Sequence, residues 1–419
     1  MKFKIIYFII SVSFASYANE NSVLPAEVQK LIETSEESGI SVAKKFDLYM
    51  QISKKLVHKD RDIAEQYAIK ALAIAVKNNK TLWLARSHSQ LGAIKLFQGN
   101  FRTADSLQLI ALNHAKYENQ LTYGILAQIN TNRGNRLMMM SELDSAMAFY
   151  DEAIRLSNLS GIKEDLSKAL NNKATVYLHS ASYQLALITF LDALKLSEEL
   201  KDSNLLAMQL GNVANIYKST EQYRKAINTS FKCYQISNSI GNKYVESAGL
   251  ILLSGTYLVM SELDSAKIYG AIAEELKLEL GDQLGIGIAR FNNGAVHVEL
   301  NEYEEGKHKL LLALKNFEAI DYLQGISSCK TSLGRIALST GKIKEGISFI
   351  NEGLTIAKSN HLTSTLKDMY LEISIGYDEA GNFKKAYDYY KMHKELSDSL
   401  RIATNLRSLD EIAMIYESE

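Results

Sequence analysis

Small residues recur through this chain at a near-constant spacing of 40. One column reads Ala64, Ala104, Ala146, Ala186, Ala226, Ala266, Gly306, Gly346 and Ala386, with a single step of 42 between Ala104 and Ala146. Twelve residues earlier in each unit stands a second column: Gly92, Gly134, Ala174, Ala214, Ser254, Gly294, Gly334 and Ser374. Seven residues after the first stands a third, Ala71, Ala111, Ala153, Ala193, Cys233, Ala273, Ala313 and Gly353. A fixed period of this length marks a repeat architecture. The stretch Leu210 to Cys233 shows the unit. An amphipathic segment ending at Tyr217 is followed by the polar break Ser219, Thr220 and Glu221, then by a second amphipathic segment from Tyr223.

Each unit therefore reads as helix A, a break, helix B and a turn. Small residues let helices approach closely. The bulky column Phe101, Leu143, Tyr183, Tyr223, Leu263, Tyr303, Ile343 and Phe383 is expected to fill the space between layers. Gly161, Gly241 and Gly281 fall where helix B ends, a position that favours the left-handed conformation. Lys201, Asp321 and His361 occupy the same place in other units. The heptapeptide Met140 to Ala146 recurs residue for residue as Met260 to Ala266, three units later.

The repeats are flanked by different material. Residues 19–40 form a polar lead-in and a helix opened by Pro25 and ended by Gly39. A second helix is expected from about Ser41 to Val57, and a third carries Ala64, Ala68, Ala71 and Ala75 on one face. The repeat region spans 41–397. In residues 398–419, Ile402, Leu406, Leu409, Ala413 and Tyr416 are spaced 4, 3, 4, 3, a heptad seam. Two readings fit this segment: a helix that caps the last unit, or the start of a dimerising stalk.

The arrangement resembles the tetratricopeptide repeat. Ala214, Tyr217, Ala226, Ser230 and Cys233 occupy that family's places, as do Ala174, Tyr177, Ala186, Phe190 and Ala193 one unit earlier. The resemblance implies an all-α fold, a right-handed superhelical α-solenoid of about nine helical hairpins. It also implies a concave groove lined by the A helices that takes an extended peptide or a partner helix. The unit here has 40 residues rather than the usual ~34 and lacks the terminal proline, so each helix is longer. Both departures fit the long-helix variety found in bacterial sensor and regulator proteins.

Composition narrows the partners. With 47 basic and 48 acidic residues the chain carries no footprint for nucleic acid and no polybasic membrane patch. Its single proline, Pro25, agrees with long unbroken helices. Cys233 and Cys329 lie more than two periods apart. Layers about 10 Å apart separate them beyond the ~7 Å a disulfide allows, so both read as packed thiols. Residues 1–18 have the form of an export signal: a basic start, an apolar run from Ile5 to Ala15, and Ser16, Tyr17 and Ala18 as a cleavage site. The mature chain is then expected to be periplasmic or extracellular.

No catalytic constellation is recognisable. The eight histidines are scattered without metal-ligand spacing, and there is no nucleophile elbow or phosphate loop. Gly285 and Gly287 begin a dinucleotide pattern that lacks its third glycine and follows no strand. The pairs Glu198 with Glu199, Glu274 with Glu275, and Glu304 with Glu305 read as solvated helix faces. No cofactor and no metal are expected. The candidate groove residues are Asn132, Asn135 and Arg136, then Lys168, Asn171 and Asn172, then Asn212, Asn215 and Lys218. Asn292 and Asn293 extend the row, while Leu252, Leu258, Val259 and Val298 make it more apolar. Amides can hold a peptide main chain without reading its sequence, and adjacent cations can take a carboxylate. The expected function is a non-enzymatic exported scaffold for a peptide or protein segment, in the manner of the sensor region of a membrane-bound signalling regulator. The competing expectation is an assembly protein that dimerises through 398–419.

Overall fold

The computed structural model describes residues 24, 26–57, 60–115, 120–140 and 142–418, with the helical backbone alone for residues 120, 121, 139 and 402–418. The export signal, Pro25 and the side chains of the Ile402 to Tyr416 seam lie outside the described residues. No helix among the described residues is long and apolar enough to cross a membrane.

The described chain is a succession of helices. After α1 (Ala26–Glu36) come nine A/B pairs. The first four are α2 (Val42–Leu56) with α3 (Arg61–Lys77), α4 (Thr81–Phe97) with α5 (Phe101–His114), α6 (Gln120–Met139) with α7 (Leu143–Ser160), and α8 (Lys163–His179) with α9 (Tyr183–Leu200). The next three are α10 (Ser203–Ser219) with α11 (Tyr223–Ser239), α12 (Lys243–Val259) with α13 (Leu263–Leu280), and α14 (Gln283–Glu299) with α15 (Tyr303–Glu318). The last two are α16 (Leu323–Ser339) with α17 (Ile343–Ser359), and α18 (Thr363–Glu379) with α19 (Phe383–Ser418). Residue 398 falls within α19, which runs 36 residues without a break. The described residues divide into two compact units, one of 24–181 with 185–205, the other of 206–418 with 182–184.

The small columns are where helices A and B of one hairpin touch. A methyl group on Gly334 would stand 3.0 Å from the Gly346 carbonyl, and one on Gly346 would stand 2.9 Å from the Gly334 carbonyl. Where the A column holds serine, the hydroxyl donates across the same gap: Ser254 to the Ala266 carbonyl at 2.8 Å, Ser374 to that of Ala386 at 2.7 Å. A branched side chain at any of these positions would push two backbones apart. The bulky column behaves differently from expectation. Phe101 to Tyr303 are half-buried, but Ile343 is 42% and Phe383 70% exposed. These residues open helix B, where only one flank is covered, so they rim the layers rather than fill them. In the second unit an extended apolar core runs from α12 to α19 through Leu253, Phe291, Leu310, Phe317, Ile350 and Met369, beside smaller clusters around Leu258 and Val296 and around Cys233 and Val245. The first unit has separate cores, one around Ile52, Leu56 and Ile94, another around Ala85, Leu126 and Leu156.

Both turns of the unit use a left-handed residue. At the end of helix B stand Gly161, Gly241 and Gly281, with Lys201, Asp321 and His361 in the same conformation at φ of 51–55°. The break between A and B uses the same device at Ser261 and Asn301, both at φ 60°. There the Ser261 and Glu262 amides return to the Leu258 and Tyr257 carbonyls, each at 2.9 Å, closing the helix end. A Cβ in this region costs about 1–2 kcal/mol. Ser261→Gly is therefore expected to stabilise the chain by roughly 0.5–1 kcal/mol in urea denaturation, part of the gain being offset by unfolded-state entropy. An unchanged or lowered midpoint would show that the serine is not strained there.

Candidate ligand-binding face

The nine candidate residues fall on A helices of both units, and each set has its own surroundings. In the first unit, six lie on α6 and α8. The Tyr150 hydroxyl donates to Asn135 Oδ1 at 2.8 Å, and Asn172 Nδ2 donates to the same oxygen at 2.9 Å. Asn171 donates to Asn172 at 3.2 Å. The ladder thus exists, but its amides are largely spent on one another. Asn132 reaches Ser89 at 3.4 Å, and Lys168 is paired with Glu164. Arg136 lies 3.6 Å from Asp105, and both line a small pocket with Gln108, Asn132 and Arg133 between α4, α5 and α6.

In the second unit the A-helix face is built differently. Asn212, Asn215 and Lys218 are one-turn neighbours on α10, spaced three apart. All are buried, at 5%, 2% and 5% exposure. They are not the solvated positions that the sequence pattern suggests. Asn215 Oδ1 is buried with no hydrogen-bond partner. Asn292 on α14 is buried as well, at 7% exposure. The Lys218 side chain makes no hydrogen bond or ion pair to any described residue, and burial alone lowers its ammonium to about 8.

Gly255 on α12 makes room for this arrangement. A methyl group there would stand 2.6 Å from Lys218 Nζ and 3.5 Å from Asn292 Nδ2. The two donors of α10 and α14 therefore meet over the bare backbone of α12. Leu252, one turn before Gly255, is 3% exposed, and Leu258, Val259 and Val298 are buried as packing.

Two sequence readings need correction. Asn293 is a structural residue of the α13–α14 contact, donating to the Gly270 carbonyl at 3.2 Å and to Glu274 at 2.7 Å. Glu274 is not a solvated helix-face residue. It is 7% exposed and held by Asn293, Lys309 at 2.8 Å and Arg290 at 3.2 Å. Burial pushes its carboxyl up, but hydrogen bonds from Lys309 and Asn293 outweigh it and hold the group below the usual carboxylate range. The other glutamates of those pairs, Glu198, Glu199, Glu275, Glu304 and Glu305, are exposed as expected.

A second polar cluster went unread in the sequence. Arg335 on α16 is 3% exposed and pairs with Glu299 of α14 at 2.7 Å and Glu379 of α18 at 2.8 Å. Ser339 also donates to Glu379. Burial lifts Glu372 on α18 to about 7 against the opposing pull of Arg335 and the Ser332 hydroxyl. The only available signal was a charged residue beside the small column at Gly334, in the place that Asn135 and Asn215 hold in other units.

No protein-family model matches the chain, and no curated protein matches it in sequence. Solved structures do. A Rap protein complexed with competence and sporulation factor superposes with a TM-score of 0.66 at 12% identity, over 86% of this chain and 99% of that one. NprR in complex with its cognate peptide NprX matches at 0.53 and 13% identity, over 79% and 98% of the two chains. A signal transduction ATPase with a tetratricopeptide repeat sensor, from Pyrococcus horikoshii, matches at 0.57 and 14% identity, over 82% of this chain and 54% of that one. With its paired helices in repeat and its small-residue contacts, the chain has the fold of tetratricopeptide-type helical repeat proteins.

Proposed function

We propose that the chain is a non-enzymatic scaffold that holds an extended peptide or protein segment on its A-helix face. The observation that carries this reading is the group of buried polar side chains Asn215, Lys218 and Asn292, in which Asn215 Oδ1 has no hydrogen-bond partner. A buried polar group without a partner costs about 1–3 kcal/mol, so a fold retains such a group where something else satisfies it. A peptide main chain offers the acceptors and donors that the two amides need. One similar structure, NprR, is described with its cognate peptide, and another contains a tetratricopeptide repeat sensor. We place this scaffold outside the cytoplasm, on the export signal in residues 1–18, as the sensor part of a signalling system.

Panning a display library of random linear peptides against the purified chain tests the reading. The wild type is expected to enrich a shared motif. The Asn215→Ala/Asn292→Ala variant, which removes no internal hydrogen bond, is expected to melt as the wild type does and to enrich nothing. Equal enrichment by the folded variant would move the site elsewhere, and no enrichment by the wild type would remove the peptide reading.

A further inference from the structure

One layer of the first unit is polar where other layers are apolar. Gln108 on α5, 3% exposed, stands in the column that holds Tyr150, Phe190, Leu310 and Ile350 elsewhere, each at most 1% exposed. Arg136 on α6 takes the column of Val176, Ile216, Val296 and Ile336, and Arg133 that of Val213, Leu253 and Leu333. One layer on, Ala146, Tyr150 and Val176 close the equivalent space as an apolar cluster. Here Gln108, Arg133, Arg136 and Asp105 line a cavity between α4, α5 and α6. Four buried atoms of these side chains have no hydrogen-bond partner among the described residues: Gln108 Oε1, Asp105 Oδ1, and Nε of Arg133 and of Arg136. Arg136 Nε stands 3.6 Å from Asp105 Oδ1, too far for a hydrogen bond. Gln108 Nε2 is fixed on the Ser89 carbonyl at 3.0 Å, over the bare backbone of Gly92, so its amide oxygen is the end left over. We infer that this cavity binds a short 2-hydroxy acid, its hydroxyl seated on Gln108 and Asp105 and its carboxylate on Arg133 and Arg136.

Depth and charge select that chemistry. The most buried of the four side chains, Gln108, offers an acceptor, so the group that enters first must donate. The enclosed space has room for one water-sized group, which a hydroxyl is. The side chains of Asp105 and Arg136, 35% and 21% exposed, stand nearer the solvent. Arg133 lies with its guanidinium 4.4 Å from the Phe149 ring centre and has no ion pair among the described residues. Two guanidinium groups therefore face one carboxylate, and the surplus positive charge attracts an anion and repels an ammonium. A carboxylate accepts from both Nε–H groups, and a hydroxyl on the next carbon reaches inward. The site shares no residue with the Asn215, Lys218 and Asn292 group, so it stands apart from the peptide reading.

Calorimetric titration of the purified chain with glycolate, acetate and glycine tests the assignment. The wild type is expected to hold glycolate about tenfold more tightly than acetate, which lacks the inner donor and leaves Gln108 unpaired. Glycine, whose ammonium meets two guanidinium groups, is expected to bind as weakly as acetate. Gln108→Leu gives this position the residue that Leu310 supplies in its own layer, and is expected to melt no lower than the wild type and to bind glycolate and acetate alike. Arg133→Met, which breaks no ion pair, is expected to weaken glycolate about tenfold. Equal wild-type affinity for glycolate and acetate overturns the hydroxyl seat, and tighter binding of glycine overturns the choice of hydroxyl over ammonium. A glycolate preference that survives in folded Gln108→Leu, or an affinity unchanged in folded Arg133→Met, overturns the placement in this cavity. Binding of none of the three leaves the cavity to water and overturns the proposal.

Discussion

Lys218→Met is expected to make the protein more stable. The displacement of the Lys218 ammonium from 10.5 to about 8 corresponds to about 3 kcal/mol against the charged folded state. Methionine keeps most of the volume and carries no charge, so the variant should gain roughly 2–3 kcal/mol at pH 7 in chemical denaturation. The pH dependence carries the same signature. Below pH 8 the lysine is protonated in both states and the penalty is complete. Between pH 8 and about 10.5 the unfolded state holds more protons than the folded one, so wild-type stability rises with pH. That rise should be absent in Lys218→Met. A variant no more stable than the wild type would mean that the ammonium has a counter-charge after all.

The opposite result is expected at Arg335. Its guanidinium holds two carboxylates directly and faces a third, Glu372. Arg335→Met should cost about 1–3 kcal/mol at pH 8, because it leaves the half-buried Glu299 and Glu372 carboxylates without the cation that faces them. Protonation relieves that repulsion, so the loss should shrink toward pH 5. Glu372 also gives the wild type a slope over this range. Its folded value of about 7 stands above the ordinary 4.5, so its carboxyl favours the folded state below about pH 4.5. That contribution, up to about 3 kcal/mol, is lost as pH rises through 7. Melting of both proteins from pH 5 to 8 reads the two effects together. A pH-independent deficit in the variant would show that the Arg335 side chain matters for its packing rather than its charge.

The repeat was legible because it is written in small residues, and nothing else fits where two helix backbones come within 3 Å of a Cβ. Gly334 facing Gly346, and Ser254 facing Ala266, are the physical content of those columns. The left-handed places at Lys201, Asp321 and His361 were legible from the glycines that replace them in other units. Burial of the A-helix face was not. Asn212, Asn215 and Lys218 look solvated in sequence because polar residues usually are. Their burial comes from contacts distant in sequence, which a one-helix pattern does not contain. Glu274 misled for the same reason, its partners lying 16–35 residues away. Within the first unit the amide row was found by its spacing, yet Asn135, Asn171 and Asn172 bind one another. In the second unit Asn215 Oδ1 has no partner, and the room for the Lys218 ammonium beside it comes from Gly255, a residue that no composition argument would select.

The measurement that bears most directly on this account is the affinity of one selected peptide for the wild type and for Asn215→Ala/Asn292→Ala, by calorimetry at matched melting temperature. The account predicts a loss of at least tenfold in the variant. Equal affinity in a variant that folds and melts like the wild type would contradict it.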